Sequence, residues 1–289
     1  MRLFLPLLAL ATTLPCSALE YPRKPADPQP HGWPLTPEER AYVVDKAEHD
    51  RRPGREANQH LPQLWPSVPT AGHWGGSSWL DTHAKLVAYV QSHAGPIDVL
   101  LVGDSITQQW GSPLDKGVLN GAWQSAFPHT KTVNIGIGGD KIQNVLWRLD
   151  HGGVEGLKPR AVVLMIGNNN MFFAPETGVA AAAQGVQTCL ANLREKFPEA
   201  RVVVVKILPC HAPKVPFYEN ILKTNAEIAR LALEKDPMVQ VLDLTQDFLH
   251  PDGTLRSALY TSDQIHLSPE GYQVYAARLK PVLDPILGR

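Results

Sequence analysis

Ile97-Asp98-Val99-Leu100-Leu101-Val102 runs without a break into Gly103-Asp104-Ser105-Ile106-Thr107. The first six residues are a short, mostly apolar run of the kind found in strands buried on both faces. Gly103 then permits a tight turn, which puts Ser105 at the start of the next helix. Outward from this stretch the same alternation repeats. Apolar runs rich in β-branched residues recur at Thr132–Ile137, Ala161–Ile166, Arg201–Leu208 and Val239–Leu244. Helices are expected between them near 79–93, 117–127, 140–150, 178–197 and 217–235, with a last one near 269–284. Apolar strands separated by helices imply a parallel sheet covered on both faces. The expectation is one α/β domain over 77–289, a three-layer α/β/α sandwich with a five-stranded parallel sheet.

Composition narrows the classes of partner. Hydrophobic residues make up 44% of the 289 and charged residues 19%, with a net charge of −1, as in ordinary globular proteins. No basic run or aromatic–basic interleaving attracts nucleic acid. Residues 1–18 read as a secretory signal peptide: Met1-Arg2, an apolar run from Leu3 to Leu14, then the small residues Cys16-Ser17-Ala18. That run of about 12 residues falls short of the ~20 needed to span a bilayer, and no other segment resembles a span. The expected location is therefore exported, periplasmic or extracellular. Residues 19–76 form a proline-rich extension. A helix is expected there from the Thr36-Pro37-Glu38-Glu39 capping box to about Arg51. Its histidines, His31, His49, His60 and His73, read as surface residues. Cys189 and Cys210 are expected as free thiols, because one lies about three turns into a helix and the other follows the next strand. No Cys/His spacing of the zinc type occurs, and no cofactor or metal is expected.

In an open α/β sheet, ligands bind beyond the carboxyl ends of the strands, so the residues after each strand carry the functional reading. Ser105 alone reads better as a plain N-cap than as a nucleophile. Asn134-Ile135-Gly136-Ile137-Gly138-Gly139-Asp140 follows the second strand. Its glycines allow a tight turn, a close backbone approach to a ligand or a phosphate cradle, although the spacing is not the dinucleotide fingerprint. Gly167-Asn168-Asn169-Asn170 follows the third strand and offers side-chain N–H donors, or an Asx turn. After the fifth come Asp263-Gln264-Ile265-His266 and Ser268-Pro269, a helix start. There a histidine can act as base, with an aspartate three residues earlier folded back on its other ring nitrogen. Each signal is weak alone. All four fall at one edge of one sheet, and together they supply a nucleophile, N–H donors, a base and its orienter.

With these motifs in this order the sequence resembles the SGNH (GDSL-type) hydrolase superfamily. The stretches 134–140 and Val145-Leu146-Trp147-Arg148-Leu149 are most similar to the platelet-activating-factor acetylhydrolase Ib catalytic-subunit type. The resemblance implies a flavodoxin-like sheet and a catalytic set of Ser105, Asp263 and His266. It also implies an oxyanion hole made by the backbone N–H groups of Ser105 and Gly139 and the side chain of Asn169. One departure concerns Asn168, where the family usually carries threonine or a similar residue, so Asn168 stands as a second candidate for the donor. The expected activity is that of a secreted serine esterase on short-chain, chiefly acetyl, esters of carbohydrate, whether small molecule or polysaccharide. Acetyl-phospholipid or aryl esters, acyl transfer through the same site, and a non-catalytic carbohydrate-binding module are the alternatives. Met171, Phe172 and Phe173 could wall an acyl pocket or fill the core. His211 reads as a surface residue that could touch substrate. The oligomeric state is not legible.

Overall fold

A computed structural model describes residues 77–115, 120–171, 177–210, 217–231 and 233–289. The expected leader, the proline-rich extension with its expected helix and four histidines, and Phe172, Phe173 and His211 lie outside the described residues. The elements are α1 (Ser77–Ser92), β1 (Gly95–Gly103), α2 (Ser105–Gln108), α3 (Gly121–Ala126), β2 (Thr132–Asn134), α4 (Ile142–Asp150), β3 (Leu157–Met165), α5 (Asn168–Met171), α6 (Thr177–Lys196), β4 (Arg201–Val205), α7 (Phe217–Arg230), β5 (Val239–Leu242) and α8 (Pro269–Leu287).

All strand pairs are parallel, in the order β2-β1-β3-β4-β5. This is the five-stranded parallel sheet expected from the alternation, in the flavodoxin-like arrangement that the resemblance implies. The chain steps one way from β1 to β2, then the other way through β3, β4 and β5. Right-handed crossovers therefore place the connecting helices on opposite faces. α3 packs against the terminal α8, while α4, α6 and α7 lie side by side. The sheet core is apolar and closed: Val99, Leu100, Val102, Ala161, Val162, Leu164, Val202 and Val203 are fully buried. Strand order reverses between β1 and β3, where Gly103 is paired with Met165. That pairing sets the residues after β1 beside those after β3, at the place where this topology binds ligands.

The expected strands are shifted in a consistent sense. β3 begins at Leu157, because Gly95, Pro96 and Ile97 pair with Leu157, Lys158 and Pro159 at the sheet's solvent-facing start. β2, β4 and β5 stop at Asn134, Val205 and Leu242, earlier than their apolar runs, because the remaining residues leave the ladder to build loops. Cys189 and Cys210 are both free and buried, and burial holds both thiols well above their usual range. Met171 is buried and accepts from Thr224 Oγ1 at 3.1 Å, a core position.

α1 is fastened by polar groups as well as by packing. Trp79 Nε1 donates to Asp140 Oδ1 at 2.7 Å, and His83 Nε2 lies 2.8 Å from the His151 carbonyl. His83 is enclosed between the rings of Trp79 and Trp147, and its Nδ1 has no partner. Burial, then the nearby Arg148 charge, lower its pKa from 6.5 to about 4. A folded-state pKa below the unfolded value gives stability that is full above pH 6.5 and is lost as pH falls toward 4. His83→Gln keeps a donor for the His151 carbonyl and removes the titration. Between pH 7 and pH 4, urea unfolding is expected to show the wild type losing about 3 kcal/mol relative to this variant. Parallel curves for the two proteins would overturn the assignment.

Candidate functional site

The nucleophile position is built from below. A Cβ on Gly103 would stand 2.1 Å from Thr107 Oγ1 and 2.2 Å from the Met165 carbonyl, so only glycine lets the chain turn off β1 against β3. Asp104 caps the one-turn α2, its Oδ1 accepting from Ile106 N at 3.1 Å while its carbonyl accepts from Gln108 N at 2.8 Å. Tyr272 of α8 donates to the Ile106 carbonyl at 2.7 Å and locks that turn from above. Ser105 is thereby presented, partly exposed, at the carboxyl edge of the sheet.

Asp104 itself is fully buried and its Oδ2 has no partner. Burial, reinforced by the nearby Asp140 charge, raises its pKa to about 7 against the pull of its hydrogen bond from Ile106. Its contribution to stability is full below about pH 4 and is lost as pH rises through about 7, the opposite sense to that of His83.

The base arrives on a self-contained arm. Tyr260 and Leu267 form an antiparallel bridge, and Thr261 N donates to the His266 carbonyl at 2.8 Å. Inside this clasp, Asp263 Oδ1 accepts from Thr261 Oγ1, Ile265 N and His266 N at 2.8, 2.9 and 2.9 Å. The tight turn puts Gln264 at φ 56°. The arm ends in Ser268, which accepts from Gly271 N at 3.2 Å with Pro269 next, starting α8. Gly271 seats the helix on the arm, since a Cβ there would lie 2.1 Å from the Leu259 carbonyl.

Asp263 Oδ2 stands 2.6 Å from His266 Nδ1, and His266 Nε2 stands 2.9 Å from Ser105 Oγ. Partial burial opposes ionisation of Asp263. The hydrogen bonds from the His266 ring, the His266 and Ile265 amides and the Thr261 hydroxyl outweigh it and hold the carboxyl below its usual range. With the carboxylate ionised, neutral His266 carries its proton on Nδ1 and offers Nε2 as acceptor to the serine hydroxyl.

The donor side comes from the loops after β2 and β3. Asn134 Nδ2 donates to the Thr107 carbonyl and its Oδ1 accepts from Gly136 N, so the second loop is tied to α2. A Cβ on Gly136 would meet Gln108 N at 2.4 Å, and one on Gly138 would stand 3.7 Å from Ser105 Cβ. Gln108 Oε1 takes the Gly138 N–H at 2.5 Å. Gly139, at φ 78°, turns the chain toward Asp140. The N–H groups of Ser105 and Gly139 have no partner among the described residues.

The three asparagines divide their work. Asn168 is buried, its Oδ1 contacted by Cys210 Sγ at 3.5 Å. Asn170 is buried and bridges Ile142 N and Gln143. Asn169 alone is partly exposed. It donates one Nδ2 hydrogen to the Asp140 carbonyl at 2.9 Å, and the amide's other hydrogen has no partner among the described residues. The structure thus brings Ser105, His266, Asp263, Gly139 and Asn169 to one edge, with Asn168 turned into the core. Such a site can take a proton from a serine and meet a developing oxyanion with N–H groups. No group of three or more His, Cys, Asp or Glu side chains converges as a metal set among the described residues.

One supporting network was not read from the sequence. Arg148, fully buried, pairs with Asp140 Oδ2 at 2.7–2.8 Å, and donates to the Ile135 carbonyl at 2.7 Å. Asp140 also accepts from Trp79 and, through its carbonyl, from Asn169. The signal in the sequence was a pair of opposite charges eight residues apart, Arg148 standing in the apolar run Val145-Leu146-Trp147-Arg148-Leu149.

Comparison with known proteins follows the same stretch of chain. Residues 101–274 match the model of the GDSL-like Lipase/Acylhydrolase family. A platelet-activating factor acetylhydrolase IB subunit alpha1 from Pongo abelii is 32% identical over 223 residues, 77% of this chain and 90% of the relative. Among solved structures, a GDSL-like lipase from Bacteroides thetaiotaomicron superposes with a TM-score of 0.56 at 19% identity, covering 70% of this chain and 97% of the other. An acetyl xylan esterase from Geobacillus stearothermophilus superposes with 0.51 at 18% identity, covering 65% and 94%. These two likenesses speak for the fold. No helix among the described residues is long and apolar enough to cross a membrane.

Proposed function

Since the chain belongs to the GDSL-like lipase/acylhydrolase family and is a hydrolase acting on esters, we propose that it cleaves short-chain, chiefly acetyl, esters through Ser105, His266 and Asp263. The observation that carries this reading is the unbroken chain of contacts Asp263 Oδ2 to His266 Nδ1 at 2.6 Å and His266 Nε2 to Ser105 Oγ at 2.9 Å. In the proposed reaction His266 takes the Ser105 proton as Oγ attacks the ester carbonyl. The oxyanion is met by the N–H groups of Ser105 and Gly139 and by the Asn169 amide. His266 returns the proton to the departing alcohol, and a water molecule, deprotonated by His266, releases the acid from the acyl-serine. Asp263 stays ionised, holding the ring and stabilising its charged form.

For the alcohol, acetylated carbohydrate is the first reading, with the protein exported behind the leader at residues 1–18. A second reading, an acetyl-phospholipid, is favoured by the name of the platelet-activating factor acetylhydrolase relatives. The test is a panel of ethyl acetate, ethyl butyrate, acetylated xylan and a glycerophospholipid acetylated at its second carbon, with Ser105→Ala as control. Preference for acetate, together with fluorophosphonate labelling that is lost in Ser105→Ala, is expected. A wild-type chain that neither labels nor hydrolyses any of the four would refute the mechanism.

A further inference from the structure

Beside the proposed relay lies a cavity of about 350 Å³ that no step of the mechanism uses. Its walls include Cys210, Tyr218, Leu249, Leu255, Ser257 and Gln264. Its wall residues adjoin those of the site at two points. Cys210 follows β4 and touches Asn168, the chain neighbour of Asn169. Gln264 sits inside the arm between Asp263 and His266, with its Nε2 3.5 Å from Ser257 Oγ. The remaining wall is pre-formed. Leu249 and Leu255 are bridged antiparallel, and the turn between them is closed by His250 N–H donating to the Thr254 carbonyl and Gly253 N–H to that of His250. A second cavity, at the edge where β4 and β5 begin, is lined by Arg201, Met238 and Pro285 and lies at the end of the sheet opposite the relay.

The reaction fixes which half of an ester can enter the first cavity. His266 Nε2 must hand its proton to the alcohol oxygen, so the alcohol leaves along the His266 arm, while the oxyanion faces Gly139 and Asn169. A cavity walled by that arm lies on the alcohol side. Its lining combines an aromatic ring and two leucines with a hydroxyl and a carboxamide, which suits a ring having an apolar face and a hydroxylated rim. Among the described wall residues none is cationic, so none of them would pair with a phosphate. The volume is at the small end of ligand cavities, which run from about 300 to 1,000 Å³, and suits one ring better than a chain of them.

We propose that this cavity is the alcohol subsite and that its occupant is a single uncharged sugar ring bearing the acetyl group. The inference rests on the esterase reading above and deepens it. The test compares kcat/KM for an acetylated methyl glucopyranoside with that for ethyl acetate, in the wild type, in Tyr218→Ala and in Ser257→Trp. The first variant removes the aromatic wall and the second, at an exposed position, fills the space. In each variant the ratio of sugar ester to ethyl ester is expected to fall about tenfold, the loss that goes with about 1.4 kcal/mol of contact. An unchanged ratio with both rates reduced would mean that Tyr218 and Ser257 act only on the fold and would overturn the proposal. A change in the ethyl butyrate to ethyl acetate ratio instead would assign the cavity to the acyl group. A wild type that cleaves ethyl acetate but not the sugar ester would sink the sugar occupant and leave the esterase reading standing. Inactivity on every ester would sink both.

Discussion

Ser105→Ala is expected to lower kcat on an acetyl ester by about 10⁶, and His266→Ala by a similar factor. The two losses should not add, because each variant removes the same covalent route. The double variant is expected to retain the same residual rate, which is the part supplied by binding and the oxyanion donors. Asn169→Ala separates this part: loss of one oxyanion donor costs about 10²–10³ in kcat with little change in KM. Asp263→Asn should cost about 10⁴ and, unlike the others, should also loosen the arm, since Oδ1 holds two amides and a hydroxyl. Single-turnover kinetics on one ester, with circular dichroism to confirm folding, check the set. A Ser105→Ala protein with wild-type turnover, or a double variant a further 10³ slower than either single one, would contradict the shared relay.

The largest loss of stability is expected from Arg148→Met. The substitution leaves the fully buried Asp140 carboxylate without its cation. Stranding one member of a buried pair costs about 3–5 kcal/mol, which in a chain of this size lowers Tm by about 10 °C. Replacing both, as Arg148→Met with Asp140→Leu, should recover much of that loss, because no charge is then left buried. Activity gives an independent readout. The Asp140 carbonyl accepts from Asn169, so the single variant should lose kcat as well as stability. Calorimetry on the wild type and the two variants decides the question: equal Tm values for the single and double variants would show that charge burial is not the cause.

Much of this architecture could be read in advance because the signals were local. Five apolar runs of strand length, the first three each followed by glycine, imply a parallel sheet and its functional edge without any knowledge of contacts. Ser105, Gly139 and Asn169 each follow a strand end, and Asp263 is three residues from His266. Their approach therefore needed only the topology. The features that were not legible depend on contacts between distant residues. Arg148 reaches Ile135 and Gly103 across 13 and 45 positions, and Trp79 reaches Asp140 across 61. The periodicity of α4 gives no hint that its buried face would carry a guanidinium. Strand ends failed for a related reason. Ile135 N still donates to the Leu101 carbonyl at 2.9 Å, so hydrophobic pattern continues where the regular ladder has already stopped.

The Asp263 carboxylate has a consequence for protein engineering. It folds the loop with one oxygen and orients the base with the other, so residues 260–268 form a cassette whose geometry is set almost entirely from within. Grafting an aspartate and a histidine onto another scaffold at the right separation would reproduce the charges without the hinge. Moving the whole clasp, from Tyr260 to the Ser268 that opens the next helix, would carry the alignment with it. A lengthened acid at 263 would fail for the same reason: its charge would survive while the loop that aims the imidazole would not.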